Sequence, residues 1–491
     1  MKKICKKELI FFLITILIGI LMYGNFLTIH YSTDMYRIIE NGYINDAITH
    51  SLIDGRIPIF IFFVLGQIIN IKPEIYQIIL TLAAIIINSI SVIKLKNILL
   101  KYKSKKSLGN EITAYAIAFS IVFNFIMVEC MYYIEVVVMS LSILCIIHAA
   151  NIFINKEKYY YAKTIAMCTL SVMCYQAIIP FFIALVTTLS IIKSKNKEVI
   201  KNIVNSIIIT VISVFTNILI VKITTLIVGI EQTRVSFALT GIFSNIKYIL
   251  ENIGWIFINQ CNIYVNGLFI LIIIGIIISV LLSKKENRKK NIINIILIIF
   301  VTIFVNFAMH VPTLSAYYTG RTKYAVGAII GLEFMYIFLD TSIFDKNSWI
   351  EEFVTFLLIT YISSNIICAI TLTNYHKKVN DLEKESALQI EKYMEEYEEN
   401  NNTKIKNVGL IIIYDQQEKA YYNEIENKSV VTQDALRCNW SAVGTINFYT
   451  NRELIEKKLN TEEILKYSEN FEQEKNYTCI GDMLVLKVYM Y

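Results

Sequence analysis

The sequence is poor in the residues that soluble proteins place on their surface. Only 18% of its 491 residues are charged, whereas 55% are hydrophobic. This composition lies outside the range of soluble globular domains and predicts a membrane protein. The formal net charge of +6 could indicate nucleic-acid binding. The basic residues lie in short clusters between apolar blocks, however, so they indicate membrane topology instead.

Patterns for binding metals are also missing. The sequence has no CxxC, HExxH or Cys/His spacing typical of a metal site. Most of the nine cysteines lie in or beside apolar blocks, where a thiol behaves as a small hydrophobe. Cys438 and Cys479 are the one plausible disulfide pair. We expect that no cofactor is required, although the sequence is compatible with a divalent ion at Asp34.

Apolar blocks are what the sequence has in abundance. A helix needs roughly 18 residues or more to cross about 30 Å of hydrocarbon, and backbone inside the bilayer must be helical. We therefore predict an all-α polytopic membrane protein with about eleven transmembrane helices. The predicted spans are residues 9–29, 75–93, 111–128, 133–153, 162–175, 178–192, 199–230, 263–282, 292–311, 324–339 and 349–372.

The lysines and arginines between these blocks predict the topology. The segment Pro58–Ile71 is apolar but only about 14 residues long, which is short for a span. If it crossed the membrane, the lysine cluster after Ile93 would lie outside, against the positive-inside bias. We therefore predict that Pro58–Ile71 lies on the outer surface, with the N-terminus inside and the C-terminus outside.

The composition becomes that of a soluble protein after the last span. We predict a transmembrane domain over residues 1–372, a charged helical stalk over 373–400 and a small extracytoplasmic α/β domain over 401–491. The segments Val408–Tyr414 and Met483–Tyr489 have the pattern of buried strands. The C-terminal domain contains no GxGxxG, Walker or nucleophile-elbow pattern, so no soluble catalytic site is expected there.

The first outer loop contains the best catalytic candidate. Asp34 follows the predicted first span by about five residues, so its carboxylate could reach a lipid-linked substrate at the membrane surface. The alternative is that Asp34 caps the helix that follows, because Asp is a preferred N-cap residue. Asp46 and Asp54, in the same loop, are interpreted as loop or turn residues.

Two short motifs in this loop suggest a family. An S-x-D-x-Y sequence at residues 32–36 follows the first span. A D-G-R sequence at residues 54–56 precedes the segment Pro58–Ile71, which we interpret as amphipathic. With the helix number, the basic inner loops and the outer C-terminal domain, they resemble the polytopic bacterial glucosyltransferases of the type II Gtr family, within the GT-C class. That family usually has a bulky aromatic residue after the Gly-Arg pair, whereas this sequence has Ile57.

The resemblance implies an inverting hexosyltransferase of the bacterial cytoplasmic membrane. The donor would be a polyprenyl-phosphate sugar, with glucose as the expected sugar, and the acceptor an envelope polysaccharide or glycolipid on the outer side. Asp34 would be the general base that deprotonates the acceptor hydroxyl, and Tyr36 would contact substrate. A small flippase would be a partner protein, and no nucleic acid is expected to bind.

A lipid phosphate leaving group needs fixed positive charge near the interface. Arg56, Arg234, Arg321 and Lys323 are the outer candidates, and arginine is favoured because its planar fork can bind two phosphate oxygens. The alternative for Arg321 and Lys323 is an aromatic and basic belt that anchors a helix end.

Other functions and other residues remain open at this stage. A transporter or flippase of lipid-linked saccharides would show broken spans in matching halves, but the four prolines are not in matching positions. A polysaccharide polymerase would share the compartment and the helix number. Glu129 and His310 lie near outer ends of spans and could line the site, although satisfied interhelical hydrogen bonds are the favoured explanation for such residues.

Overall fold

The computed structural model of the chain is mostly helical over the residues that it describes. It describes residues 6–103, 107–194, 196–229, 241–258, 265–282, 288–309, 311, 320–340, 349–413, 434–471 and 475–489. The α-helices are α1 Lys6–Tyr23, α2 Thr33–Asn41, α3 Tyr43–Asp46, α4 Ile57–Ile69, α5 Pro73–Tyr102, α6 Leu108–Val122, α7 Met127–Tyr132, α8 Val136–Asn155, α9 Tyr160–Cys174, α10 Pro180–Lys193, α11 Asn196–Val228, α12 Ile242–Ile258, α13 Val265–Leu282, α14 Arg288–Ala308, α15 Tyr324–Gly327, α16 Ile329–Asp340, α17 Trp349–Asn401, α18 Ala442–Thr450 and α19 Thr461–Ser468.

Eight helical segments of the described residues are long and apolar enough to cross a membrane. Shorter apolar helices occupy Ile57–Ile69, Leu108–Val122 and Gly267–Leu282. Each of the eleven predicted spans coincides with helix over most of its described residues, so the multi-span all-α fold is confirmed. The last span and the stalk form one unbroken helix, α17, of 53 residues.

One predicted span is interrupted. We expected a helix over residues 111–128, but α6 ends at Val122 and the short α7 begins at Met127. The side chain of Asn124 accounts for the break: its Nδ2 donates to the Ile121 carbonyl at 3.0 Å, and its Oδ1 accepts from the Ile126 amide at 3.0 Å. Such side-chain bonds to nearby backbone compete with the helical ladder.

The chain divides into two compact units. The first comprises Met1–Leu27, Ala47–Phe62 and Ile79–Thr371, and the second comprises Thr28–Asp46, Phe63–Ile78 and Leu372–Tyr491. In the first unit, helix α16 is almost wholly buried. Its Gly331 allows a close approach to α6, because an added Cβ would lie 2.5 Å from the Ile121 side chain.

The second unit contains a four-stranded sheet. Its strands are β1 Asn407–Ile413, β2 Ile455–Lys457, β3 Tyr477–Ile480 and β4 Met483–Tyr489, in the order β2-β1-β4-β3. Strand β1 runs parallel to β2 and β4, with Asn407 opposite Met483, and β3 is antiparallel to β4. The two predicted strands are confirmed. Cys438 and Cys479 are buried free thiols, so the disulfide that we considered is absent.

Helix α2 packs against α18 in the second unit. Gly444 of α18 faces α2 closely, since an added Cβ would lie 3.0 Å from the Tyr36 carbonyl oxygen and 2.9 Å from the Glu40 carboxylate. Asn447 of α18 also donates to Glu40 at 3.3 Å. This contact fixes the helix on which Asp34 lies.

Candidate functional site

Asp34 lies in the first turn of α2. Ser32 is the N-cap residue, with extended backbone angles of φ −90° and ψ 161°, and the helix begins at Thr33. The interpretation of Asp34 as the N-cap is therefore wrong. A carboxylate in the first turn is favoured by the positive end of the helix dipole, and 24% of the Asp34 side chain is exposed. Asp34 is thus both ordered and accessible.

Arg37 joins Asp34 to Asp46. Its Nε donates to Asp46 at 2.5 Å, and its Nη1 donates to Asp34 at 3.4 Å. Asp46, interpreted from the sequence as a loop or turn residue, is buried in an ion pair. Arg37 was not among the predicted site residues, although the i, i+3 spacing of Asp34 and Arg37 could have indicated the pair.

Tyr36 is fully buried in the second unit. Its hydroxyl donates to Glu383 at 3.0 Å and lies 2.8 Å from the Tyr449 hydroxyl. Its ring stacks on Tyr31, with the ring centroids 5.4 Å apart. These contacts favour a structural role for Tyr36 over the predicted contact with substrate.

Arg56 is held by two carboxylates in the first unit. Its Nη1 donates to Glu135 at 3.0 Å, and its Nη2 lies 3.9 Å from Asp54. The guanidinium also lies over the Tyr175 ring, 5.3 Å from the centroid. Burial opposes the charged form of Arg56, but Glu135 and Asp54 outweigh it and hold the pKa of Arg56 above its usual value.

Arg321 has a similar environment. It lies on a 3₁₀ turn, Gly320–Lys323, with its guanidinium 3.9 Å from the centroid of the Tyr133 ring and 3.8 Å from Glu129. Its side chain is 17% exposed, and Lys323 is 5% exposed. A belt that anchors a helix end at the lipid interface needs outward-facing side chains, so this burial disfavours the anchoring interpretation.

The two arginines belong to one group. The charges of Arg56 and Arg321 act on each other, and both act on the Tyr175 hydroxyl. We define the arginine cluster by the following residues: Arg56, Glu129, Tyr133, Glu135, Tyr175 and Arg321. Two guanidiniums held by carboxylates and aromatic rings form a preorganised electrostatic site.

The remaining predicted residues are less informative. Arg234 and His310 lie outside the described residues. Across the described parts of the chain, no three His, Cys, Asp or Glu side chains are grouped to hold a metal ion. The predicted site residues that the structure can place are therefore Asp34, Tyr36 and Arg56 in the loop after α1, and Arg321 and Lys323 on the turn Gly320–Lys323.

A family model matches a large part of the chain. The model described as glucosyl transferase GtrII covers residues 75–338. Glu129, Tyr133, Glu135 and Arg321 lie inside this range, whereas Asp34 precedes it. No curated protein matched the sequence.

Among solved structures, the chain is similar to a crystal structure of the Archaeoglobus fulgidus oligosaccharyltransferase, tethered with an acceptor peptide through a disulfide bond. The two share 12% sequence identity with a TM-score of 0.41, over 93% of this chain and 64% of that chain. This chain thus spans less than two thirds of the length of that protein. The GtrII model, by contrast, covers more than half of the 491 residues, and the chain therefore belongs to the glucosyl transferase GtrII family.

Proposed function

We propose that the protein is an inverting GT-C-type glucosyltransferase. It transfers glucose from a polyprenyl phosphate to an envelope polysaccharide or glycolipid on the outer side of the bacterial cytoplasmic membrane. The observation that carries this proposal is the arginine cluster, five of whose six residues lie within the part of the chain matched by the family model. Its guanidiniums suit a phosphate that gains negative charge as the sugar leaves.

Asp34 acts as the general base in this proposal. Its carboxylate accepts the proton of the acceptor hydroxyl while that oxygen bonds to the anomeric carbon of the donor. The bond between the anomeric carbon and the phosphate oxygen breaks, and its electron pair leaves on the polyprenyl phosphate. Arg37, fixed on Asp46, stands 3.4 Å from Asp34 and holds its carboxylate in position.

Arg56 and Arg321 stabilise the leaving phosphate. Arg234 and Lys323 are further proposed phosphate contacts. Tyr36, given its buried hydrogen bonds, supports α2 rather than the sugar. The basic inner loops favour an outer position for Asp34 and the C-terminal residues. A small flippase is the proposed source of donor lipid on that side.

The test is transfer by purified protein in nanodiscs. With polyprenyl-phosphate glucose and the envelope polysaccharide from cells that lack the gene, we expect Asp34→Asn to lower the rate by about 100-fold or more, as loss of a general base does. The exposed Asp381→Asn serves as a control and should leave the rate unchanged.

Three results would contradict parts of this proposal. Full activity of Asp34→Asn would exclude Asp34 as the base. Loss of wild-type activity in EDTA would show that a divalent ion is required, whereas we propose that none is. Substrate counterflow in proteoliposomes without any glycosylated product would identify a transporter instead.

A further inference from the structure

A cavity of about 400 Å³ opens in the second unit beside α2. Its walls are the end of α2, the following Tyr43, the turn at residues 70–74 and Phe448 of α18. This volume falls within the range of small-molecule sites, roughly 300–1,000 Å³. The space beside Gly42 is open, since a Cβ added there would meet no atom within 4 Å.

Two aromatic residues, Tyr43 and Phe448, line the cavity, and both rings are held in place. The Tyr43 hydroxyl donates to the Ile71 carbonyl at 3.1 Å, and its ring meets the Tyr76 ring edge-on at 5.8 Å. Phe448 is half-buried and lies 5.0 Å from Tyr31, between ring centroids. The face of an aromatic ring is electron-rich, so fixed rings of this kind attract the C–H face of a sugar.

Polar residues of the turn at residues 70–74 also line the cavity. Asn70 and Lys72 are exposed, and Glu74 is half-buried. An amide, an ammonium and a carboxylate together supply hydrogen-bond donors and acceptors. The positive and negative charges balance, which suits a ligand rich in hydroxyl groups better than a phosphate or a long apolar chain.

The cavity and Asp34 share one helix. Ile38, which lines the cavity, follows Asp34 by four residues, so the two lie on the same face of α2 about 6 Å apart along its axis. That separation is comparable to the width of a single sugar residue, so a saccharide in the cavity can extend a hydroxyl towards the Asp34 carboxylate.

We propose that this cavity binds the acceptor saccharide and thereby sets acceptor specificity. The inference rests on the proposed function, in which Asp34 deprotonates an acceptor hydroxyl. The sugar ring lies against Tyr43 and Phe448, and its hydroxyls bond to Asn70, Lys72 and Glu74. The donor lipid makes no contact with this cavity.

The experiment separates acceptor from donor. Purified protein in nanodiscs is assayed with varied envelope polysaccharide at saturating polyprenyl-phosphate glucose, and then the reverse. We expect Phe448→Leu to raise the acceptor KM by about 3- to 10-fold, the equivalent of one aromatic contact. Phe448→Tyr, which keeps the ring, should raise the acceptor KM less than Phe448→Leu does, and the donor KM should change in neither variant.

A second variant fills the cavity without removing a core contact. Ile39→Trp projects an indole from the cavity wall and should raise the acceptor KM at least as much. The matched control is Leu465→Trp, at a position of the second unit that is 66% exposed. A rise in the donor KM in place of the acceptor KM would assign the cavity to the lipid, and unchanged constants would leave it without a ligand; either result overturns the inference.

Binding without chemistry distinguishes this inference from the proposed function. Saturation-transfer NMR with the isolated polysaccharide and no donor should show contact with the wild type and not with Ile39→Trp. If the wild type binds the polysaccharide in this way but forms no product, the transfer proposal fails and the saccharide site stands. If product forms but both cavity variants bind normally, the saccharide site fails and the transfer proposal stands.

Discussion

Arg321 carries its charge directly over an aromatic ring. The guanidinium is 3.9 Å from the centroid of the Tyr133 ring, with Glu129 at 3.8 Å on the same group. A planar guanidinium can stack on the ring and still present N–H groups to a phosphate, whereas an ammonium on a flexible chain does both poorly. The geometry at this position therefore favours arginine over lysine, although the two side chains carry the same charge.

We expect Arg321→Lys to lower the rate of transfer about tenfold, because the stacked contact and the fork are lost while the charge stays. The rate should be measured at varied donor concentration in nanodiscs. Arg288→Lys, the same exchange at the start of α14, should leave the rate unchanged. Wild-type donor saturation in Arg321→Lys would limit Arg321 to a structural role.

Sequence reasoning found the cations of the arginine cluster and considered Glu129 as a residue lining the site, but it did not pair Arg321 with Glu129 or Arg56 with Glu135. Arg56 and Arg321 were identified because their charge and outer position suit a phosphate. Glu135 lies 79 residues from Arg56, and a single sequence contains no signal for a pair so far apart. Tyr133 and Tyr175 were missed because aromatic residues near span ends are common in any membrane protein.

Helices α6 and α7 show how one side chain shapes this region. A hydrophobic block predicts a continuous span, because averaging over many residues hides a single Asn. The hydrogen bonds of Asn124 to the backbone end α6 early, and the chain that follows positions Glu129, Tyr133 and Glu135. The helix break thus determines the position of three residues of the arginine cluster.

The contact between α2 and α18 depends on the absence of a side chain at Gly444. Helix propensity alone favours Ala over Gly by about 1 kcal/mol. The backbone of Tyr36 lies too near for a Cβ at 3.0 Å, however, and overpacking typically costs about 1–3 kcal/mol. Whether an alanine at position 444 raises or lowers stability therefore shows whether helix propensity or overpacking dominates.

We expect Gly444→Ala to destabilise the second unit, seen as a lower midpoint of thermal unfolding and faster proteolysis of the C-terminal residues. Gly109→Ala is the control, since its added Cβ would meet only Ser107 at 3.9 Å. It should be neutral or slightly stabilising. A more stable Gly444→Ala protein would contradict the close packing of α2 on α18.

At the scale of the whole molecule, the second unit encloses ionisable groups. Burial raises the pKa of Glu383, with a further rise from the nearby Asp434, although Ala435, Asn380 and Tyr36 donate hydrogen bonds to its carboxylate. Burial lowers the pKa of His30 to about 4 and that of His376 to about 3. The folded unit thus favours the neutral form of the acidic Glu383 and also the neutral form of the basic His30 and His376.

These shifts have opposite consequences for stability. The histidines remain neutral in the folded unit, so their contribution is present above pH 6.5 and is lost as the pH falls towards 4. Glu383 holds its proton more tightly when folded than when unfolded. Its contribution to stability is therefore fully present below pH 4.5, the ordinary pKa of a glutamate, and is lost as the pH rises through the raised pKa of the folded unit.

We expect Glu383→Gln to remove the alkaline part of this dependence. The unfolding midpoint of the variant minus that of the wild type should increase steadily between about pH 5 and pH 9. Absolute stability at low pH can fall, because an amide replaces a carboxyl that accepts three hydrogen bonds, so the slope is the measurement. The exposed Glu385→Gln should run parallel to the wild type, and a flat difference for Glu383→Gln would contradict the burial argument.

The sequence predicted the spans and strands well because apolar length and alternation are local properties. It did not predict that Thr28–Asp46 and Phe63–Ile78 join the C-terminal residues in one compact unit. That arrangement rests on pairs such as Tyr36 with Tyr449, which are 413 residues apart. Asp34 was found as one of three aspartates in a loop. Its ion pair with Arg37 is local, whereas the cavity beside it depends on distant packing, because Phe448 is one of its lining residues.

The packing of α2 on α18 also determines how late in synthesis this part of the second unit can form. Asn447 follows Glu40, its partner, by 407 residues. At roughly 5–20 residues per second, the ribosome needs about 20–80 s to make the intervening chain. Tyr36, whose backbone packs against Gly444 of α18, is therefore synthesised long before that contact can form.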